Sequence, residues 1–452
     1  MSERLAVAPW RSGGYNSVRG SGMLPFLVEA EAFVRLPRSL QSLRNYNFRL
    51  FWLGQLISLI GTWVQSVGQA WLVLELTNSP LALGTVTALQ FLPVLFLVLF
   101  AGVFVDRFPK RPLLLITQSA SMFQALALAV LVSSGIVDLW HLYVLAIMLG
   151  MVNALDNPTR QAFVVEMVGR EEVVNAVALN SALFNGARIV GPAIGGVLIA
   201  TLGLAECFYV NAASFLAVIV GLLLMRENLL HRAPRRPSDH LLNQLAEGLR
   251  YAVGTPPVFV IVILMAFLGT FGYNFGATLP LLARDVLNVD ASGFGALLSA
   301  MGIGSFLGAL VVAGQQRSTI RQLFAGATGF AVGLAGLALS RSYPISLAIL
   351  LPLGFSSIVF TTSANARLQL ETPDALRGRV MSLYTLLFLG STPIGSIVTG
   401  FLAEQLGVQL AIGIEAALCF LGLAAALAYY RSVVSRKPPA ATSGPPSDHL
   451  GR

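Results

Sequence analysis

Long apolar runs separated by short polar breaks set the rhythm of this chain. Windows of about 20 apolar residues, the length that crosses a bilayer's hydrocarbon core, recur twelve times. They lie at 50–74, 81–105, 112–133, 139–158, 178–202 and 206–225, then at 258–282, 293–314, 322–340, 344–365, 380–403 and 408–430. The pattern predicts an all-α integral membrane protein with twelve transmembrane helices. The longest polar stretch between windows falls at the midpoint and suggests a division into two six-helix bundles, residues 44–225 and 258–431. A cytoplasmic tail (1–43), a central loop (226–257) and a second tail (432–452) complete the plan. Residues 437–452 are rich in Pro, Ser and Gly and read as disordered, while residues 1–22 carry no pattern, so that Met23 is an alternative start.

Polar residues inside the windows carry the first hint of chemistry. Span 1 places Gln55, Ser58, Thr62, Gln65, Ser66 and Gln69 at helical spacing. An unpaired amide in hydrocarbon costs several kcal/mol. These residues therefore either hydrogen-bond between helices or line a wet cavity, and six in one span favour the cavity. Gln90 in span 2 and Asn153 in span 4 join them as cavity candidates. Pro93 predicts a kink, Pro158 is read as the exit of span 4, and 164–174 as a cytoplasmic loop. Trp71, near the outer end of span 1, fits an interfacial belt. Arg188 in span 5 is a functional hypothesis by its depth; it either pairs with Asp156 or serves substrate or coupling. Asp156 is the candidate protonatable acid, and Glu415 in span 12 either pairs internally or faces another chain.

Composition and charge narrow the class. The chain of 452 residues is 56% apolar and only 11% charged, with mean hydropathy +0.75, against roughly 25% charge in soluble domains. The net charge of +8 is not a nucleic-acid signature, because of where it sits. With the N-terminus placed inside, 26 of the 29 Lys and Arg fall on the cytoplasmic side, and only Arg284 and Arg341 opposite. That asymmetry puts the protein in the cell membrane with both termini cytoplasmic. Cys207 and Cys419 lie in predicted spans, and His141, His231, His240 and His449 form no ligand set, so neither a disulfide nor a metal is predicted. No signal peptide, phosphate-binding loop or nucleophile–base spacing is visible. The chain reads as a non-enzyme without cofactor. Within the central loop, Leu242, Leu245, Leu249 and Val253 share one face of a predicted amphipathic helix over 239–253.

Two short stretches and a repeat are more specific. Gly102-Val-Phe-Val-Asp106-Arg107-Phe-Pro-Lys110-Arg111 is a charged island between two apolar spans, and it must be wet. Gly191-Pro192-Ala-Ile-Gly195-Gly196, just after Arg188, is a small-residue face for close helix contact. Span 11 repeats span 5 at an offset of 204 residues, with Phe184, Gly186, Gly191, Gly196 and Gly203 matching Phe388, Gly390, Gly395, Gly400 and Gly407. Gly308–Arg317 is a degenerate partner of the charged loop, with Arg317 for Arg111 and Val312 for Asp106.

These features together resemble the major facilitator superfamily over residues 43–430. Asn45-Tyr-Asn-Phe48-Arg49 through Gln55, and Asn157-Pro158 through Ala162 leading to Asn175, are similar to the branch of macrolide effluxers and the enterobactin exporter, the transmembrane secretion effector family. The resemblance implies a monomeric secondary transporter exporting small amphiphilic molecules by alternating access, driven by proton entry. It implies that Gly102, Asp106, Arg107, Lys110 and Arg111 form a conformational latch. Arg188, Gly191, Pro192, Gly195 and Gly196 would then form an antiporter-type motif. Two departures stand out: span 4 has no Arg at its middle, Arg160 lying beyond Pro158, and Pro109 replaces the usual Gly. Coupling therefore stays open between proton antiport and facilitation. A narrow-specificity lipid or siderophore flippase and a non-transporting sensor or scaffold are the alternatives.

Overall fold

The computed structural model describes residues 38–231, 241–315 and 318–434. The first tail up to residue 37, His240, Arg317 and the tail beyond 434 lie outside them. Among the described residues there is no strand, and eleven helical segments are long and apolar enough to cross a membrane. Every predicted window falls on helix.

The first half comprises α1 (Tyr46–Thr77), α2 (Pro80–Arg107), α3 (Lys110–Ser133), α4 (Leu139–Thr201) and α5 (Leu204–Leu223). Its turns are sharply coded. Asn78 adopts a left-handed conformation (φ 51°) that closes α1, and Ser79 caps α2 by accepting from the Ala82 N–H at 3.1 Å. Asp138 and His141 form a reciprocal cap at the start of α4, which gives His141 a structural task.

Helix α4 corrects two sequence expectations. It passes through Pro158 without ending, and 164–174 is helix rather than loop. A single proline removes one backbone hydrogen bond, too little to stop a helix whose flanks are packed. The break comes at Gly169 (φ 75°, ψ 176°), a conformation suited to glycine. At about 1.5 Å per residue, the 63 residues of α4 have the length of two crossings. Both the fourth and the fifth windows lie on it, one on each side of Gly169.

The second half comprises α6 (Leu241–Gly254), α7 (Pro256–Phe267), α8 (Phe275–Leu281), α9 (Ala291–Ala313), α10 (Ile320–Leu339), α11 (Tyr343–Glu371), α12 (Asp374–Phe388), α13 (Thr392–Leu406) and α14 (Val408–Tyr429). Helices α7 and α8 are one span interrupted by a π-turn over Leu268–Gly272 and the non-helical pair Tyr273–Asn274. Asn274 Nδ2 donates to the Thr270 carbonyl at 2.9 Å, satisfying backbone that the break frees. The second broken span is α12–α13, interrupted at Leu389–Ser391 ahead of Pro393. Helix α6 lies where the amphipathic segment was expected. It rests Gly248 and Ala252 on α12 and pairs Glu247 with Arg379, leaving Leu249 and Val253 exposed.

The helices alternate in direction, so the molecule has two faces. The ends of α2 and α9 and the starts of α3, α10 and α12 mark the face rich in Lys and Arg, called here the basic face. On the opposite face the two halves meet at two matching points. A Cβ built on Gly84 of α2 would lie 3.2 Å from the Gly400 Cα of α13, and one on Gly295 of α9 3.2 Å from the Gly196 Cα of α4. Gly196 and Gly400 are a pair in the 204-residue repeat, and so are Pro192 and Ser396, whose carbonyls abut the same two crossings. Only residues without a Cβ allow backbones this close.

Polar bridges tighten the same face. Glu404 of α13 accepts from Ser79 Oγ (2.5 Å) and the Leu81 N–H (3.0 Å) at the start of α2. Arg284 donates to the Leu74 carbonyl (2.7 Å) and Asn78 Oδ1 (3.2 Å). Trp71 stacks on Phe294 across the seam with centroids 6.2 Å apart; at 9% exposure it is a joint between halves, not a belt residue.

Candidate functional site

Between the halves lies a cavity of about 1580 Å³, larger than the 300–1,000 Å³ or so of an ordinary small-molecule pocket. Its walls extend to Gln315 and Ser318, beyond the last residue of α9, and to Gln369 near the end of α11. The cavity therefore reaches the basic face while the opposite face is closed. The ion pairs seen on the basic face among the described residues each stay within one half or join α6 to α12.

All the cavity candidates, Gln65, Gln69, Gln90, Asn153, Asp156 and Arg188, line this space, and so do Gln55, Ser58, Thr62 and Ser66 of span 1. The first half makes its wall a hydrogen-bonded network. Gln65 donates to Gln124 Oε1 (3.0 Å) and accepts from Asn211 (2.7 Å), tying α1 to α3 and α5. Gln69 donates to Gln90 at 3.3 Å. Span 1 thus satisfies both readings of its polar face, since the amides that border the cavity also bond between helices.

Asp156 contradicts its expected partner. It is 2% exposed and pairs with Arg160 one turn along the same helix, not with Arg188. Thr117 Oγ1 (2.7 Å) and Gln118 Nε2 (2.8 Å) of α3 donate to its other oxygen. Arg160 in turn donates to Gln55 Oε1 at 3.0 Å. The reason lies in the path of α4, which continues past Pro158 so that Arg160 stands one turn from Asp156 and, after the bend at Gly169, sets Arg188 against α9. Arg160, read from sequence as outside the span, lines the cavity.

The second half lines the cavity with uncharged polar side chains, among them Asn274, Thr361 and Asn365, and with a cluster of aromatic rings. Tyr273, exposed to the cavity by the break between α7 and α8, stacks on Phe330 (4.7 Å) and meets Phe388 edge-on (5.0 Å). Its hydroxyl donates to the Ser357 carbonyl at 2.9 Å. Tyr384 stacks on Phe388 at 6.1 Å. Sequence reasoning missed this wall. The signal available was Gly272-Tyr-Asn-Phe-Gly276, a polar and flexible interruption of an apolar run.

The expected latch is placed in part. Gly102 and Asp106 lie on the last turns of α2, but side chains at 98–103 and 106 fall outside the described residues. Arg107 is exposed, Lys110 pairs with Glu166 at 3.4 Å, and Arg111 donates to the Leu222 and Leu223 carbonyls and pairs with Glu227 at 2.6 Å. Within the antiporter-type motif, Gly191 abuts Trp63 and Ile60 of α1, Gly195 abuts Val64, and Gly196 makes the crossing with α9. Glu415 is 1% exposed, so it does not face another chain; one oxygen bonds Thr399 of α13 and the other, Oε2, has no partner.

Residues 38–445 match the family described as transmembrane secretion effector. The chain is 29% identical over 360 residues to the multidrug efflux pump Tap of Mycolicibacterium fortuitum, covering 77% of this chain and 87% of that protein. It is 24% identical over 365 residues to the staphyloferrin A transporter of Staphylococcus aureus (80% and 90% covered). It is 26% identical over 363 residues to the enterobactin exporter EntS of Shigella boydii (79% and 86% covered). In fold it is similar to a bacterial homologue of the human lysosomal transporter Spinster in an inward-facing, occupied conformation, with TM-score 0.70 at 14% identity over 88% of this chain and 99% of that one.

Proposed function

The chain belongs to the transmembrane secretion effector family of major facilitator transporters, and on that premise we propose that it exports small amphiphilic molecules by alternating access coupled to proton entry. One observation carries the reading: a large cavity between two halves, closed at one face by paired glycine crossings and reaching the other. The wall chemistry supports an amphiphilic cargo, since both halves mix polar side chains with aromatic rings and the first adds a carboxylate–guanidinium pair. Tap is a multidrug efflux pump, and the other two relatives move staphyloferrin A and enterobactin, so small-molecule cargo is what these relatives share.

By the positive-inside asymmetry the basic face is cytoplasmic, and this conformation is the loading state. The energy source is the proton gradient, with no cofactor, and the working unit is a monomer. Glu415 is our candidate proton carrier. A hydroxyl has one proton to give, and Thr399 Oγ1 lies within bonding distance of both the Gly395 carbonyl and Glu415. A neutral Glu415 donating through Oε1 frees the Thr399 proton for the Gly395 carbonyl and leaves Oε2 as an uncharged acceptor. An ionised one would stand without a cation in hydrocarbon, at several kcal/mol. Thr399 neighbours the Gly400 crossing, so a change of proton there bears directly on the closed face.

The test is proton release from inverted membrane vesicles, read with a pH-gradient dye, on adding drugs, siderophores and lysolipids in turn. Wild type is expected to discharge the gradient for at least one class and Glu415→Gln for none. Silence across the panel from correctly inserted wild type would sink the coupled-export reading.

A further inference from the structure

The charges around the cavity do not balance. Its lining holds three formally charged side chains, Asp156, Arg160 and Arg188. The first two neutralise each other and are hydrogen-bonded by Thr117, Gln118 and Gln55. Arg188 makes no ion pair among the described residues, and its Nε is buried without a hydrogen-bond partner. One positive charge is left over, about 13 residues from the end of α4 at Thr201, or roughly 20 Å at 1.5 Å per residue. The side chain is half-buried, with its Nε enclosed and the cavity beside it, so an anion entering the cavity meets an unneutralised charge.

Among the described residues no carboxylate pairs with that charge. Tyr273, which lines the same cavity, has its hydroxyl already donated to Ser357. Helix α9 approaches the Arg188 backbone where a Cβ on Gly302 would lie 3.0 Å from the Arg188 carbonyl oxygen, so the residue sits on the seam between the halves. One turn back on the same face is Phe184, which meets Trp63 edge-on at 6.3 Å, and both rings line the cavity. A guanidinium presents a planar fork that suits a two-oxygen anion.

We propose that Arg188 is an anion-binding residue of the cavity, and that the cargo carries a carboxylate or an equivalent oxygen anion on an aromatic or apolar body. The anion pairs with Arg188 while the body lies among Trp63, Phe184 and the Tyr273 wall. The proposal deepens the export reading and rests on it for the word cargo, but anion binding itself is measured without transport.

The experiment uses the full-length protein in lipid nanodiscs and three probes of one shape: 2-naphthylacetate, its amide, and 2-naphthylethylamine. Titration calorimetry is expected to show wild type binding the carboxylate at least about tenfold more tightly than the amide or the amine. Arg188→Gln should abolish that preference while leaving amide affinity within about twofold, which also reports an intact cavity. Arg188→Lys should keep a reduced preference, and it decides the matter if the glutamine variant fails to fold. Binding of the amine as tight as the carboxylate, a preference that survives Arg188→Gln, or no binding of any probe to wild type would each overturn the proposal. Loss of proton release with anion binding intact would instead count against the export reading alone.

Discussion

The two halves of this protein share a scaffold and differ in what they show the cavity. The N-caps of α4 and α11, Asp138 and Ser342, stand 204 residues apart, the offset that pairs Gly196 with Gly400. At that offset Asp156 falls on Phe360 and Arg160 on Ala364. The first half clasps α1, α3, α4 and α5 with buried hydrogen bonds and supplies all three charged lining residues, while the second fills the equivalent region with a fully buried ring and sets Tyr273, Tyr384 and Phe388 among uncharged polar side chains. Helix packing constrains the glycines that set backbone distance and leaves cavity-facing positions free to diverge. A duplicated architecture can thus concentrate the charge of its cavity in one half.

The largest effect expected from breaking this asymmetry is at Asp156. Asp156→Ala leaves Arg160 with an uncompensated charge and should cost about 3–5 kcal/mol, seen as a large fall in unfolding temperature. If the clasp serves stability alone, the double change Asp156→Leu with Arg160→Leu, which mimics the apolar second half, should recover most of that loss. A double variant no more stable than the single one would mean that the pair does more than hold helices together.

Next in size is the aromatic wall. Tyr273→Ala removes contacts worth about 0.5–1.5 kcal/mol each beyond area burial and should weaken an aromatic probe about tenfold. Tyr273→Phe keeps the ring and should stay within about threefold. Equal losses from both changes would assign the effect to the hydroxyl bond to Ser357.

The crossings come third, and the repeat makes them a matched control. Gly84→Ala and Gly295→Ala each drive a methyl into a backbone carbonyl. Both should raise, several-fold, the labelling of a cysteine placed at the cavity residue Leu298 from the opposite face. A rise in only one variant would show that the repeat of form is not a repeat of mechanism.

Smallest is the cap at Asp290, which lies outside the membrane spans at the start of α9. The Ser292 hydroxyl and then the Gly293 N–H hold its carboxyl below the ordinary value. A lowered pKa means that the bond contributes above the ordinary carboxylate pKa of about 3.9 and is lost as pH falls through the lowered one. Stability should therefore decline by under about 1 kcal/mol on the acid limb only. Asp290→Asn, an equal cap without a charge, should flatten that limb and leave neutral pH unchanged.

Much of this was legible in the chain because bilayer thickness imposes a length and the cost of buried charge imposes an absence. Those two rules locate the spans, the repeat and the polar face of span 1. They fail where a local signal is overridden by packing. Pro158 looked like an exit because proline usually ends helices, yet the clasp around Asp156 holds α4 straight through it. Arg188 and Asp156 looked like partners because they are the deep charges of adjacent spans, but a partner four residues along one helix needs no tertiary chance. The aromatic wall was silent because rings are unremarkable in apolar runs; only the break beside Tyr273 reveals which of them face the cavity.

The paired glycine crossings carry a last consequence. Two bare contacts define a line, and a body held along a line keeps one freedom, rotation about it. At Gly84 on Gly400 and Gly295 on Gly196 backbone meets backbone, so turning there moves no rotamer, and the Trp71–Phe294 stack is the contact that must slide. In the alternating-access cycle proposed above, the closed face would then be less a plug than a door on two pins, with Glu404 and Arg284, bridging the same edge, as its catches.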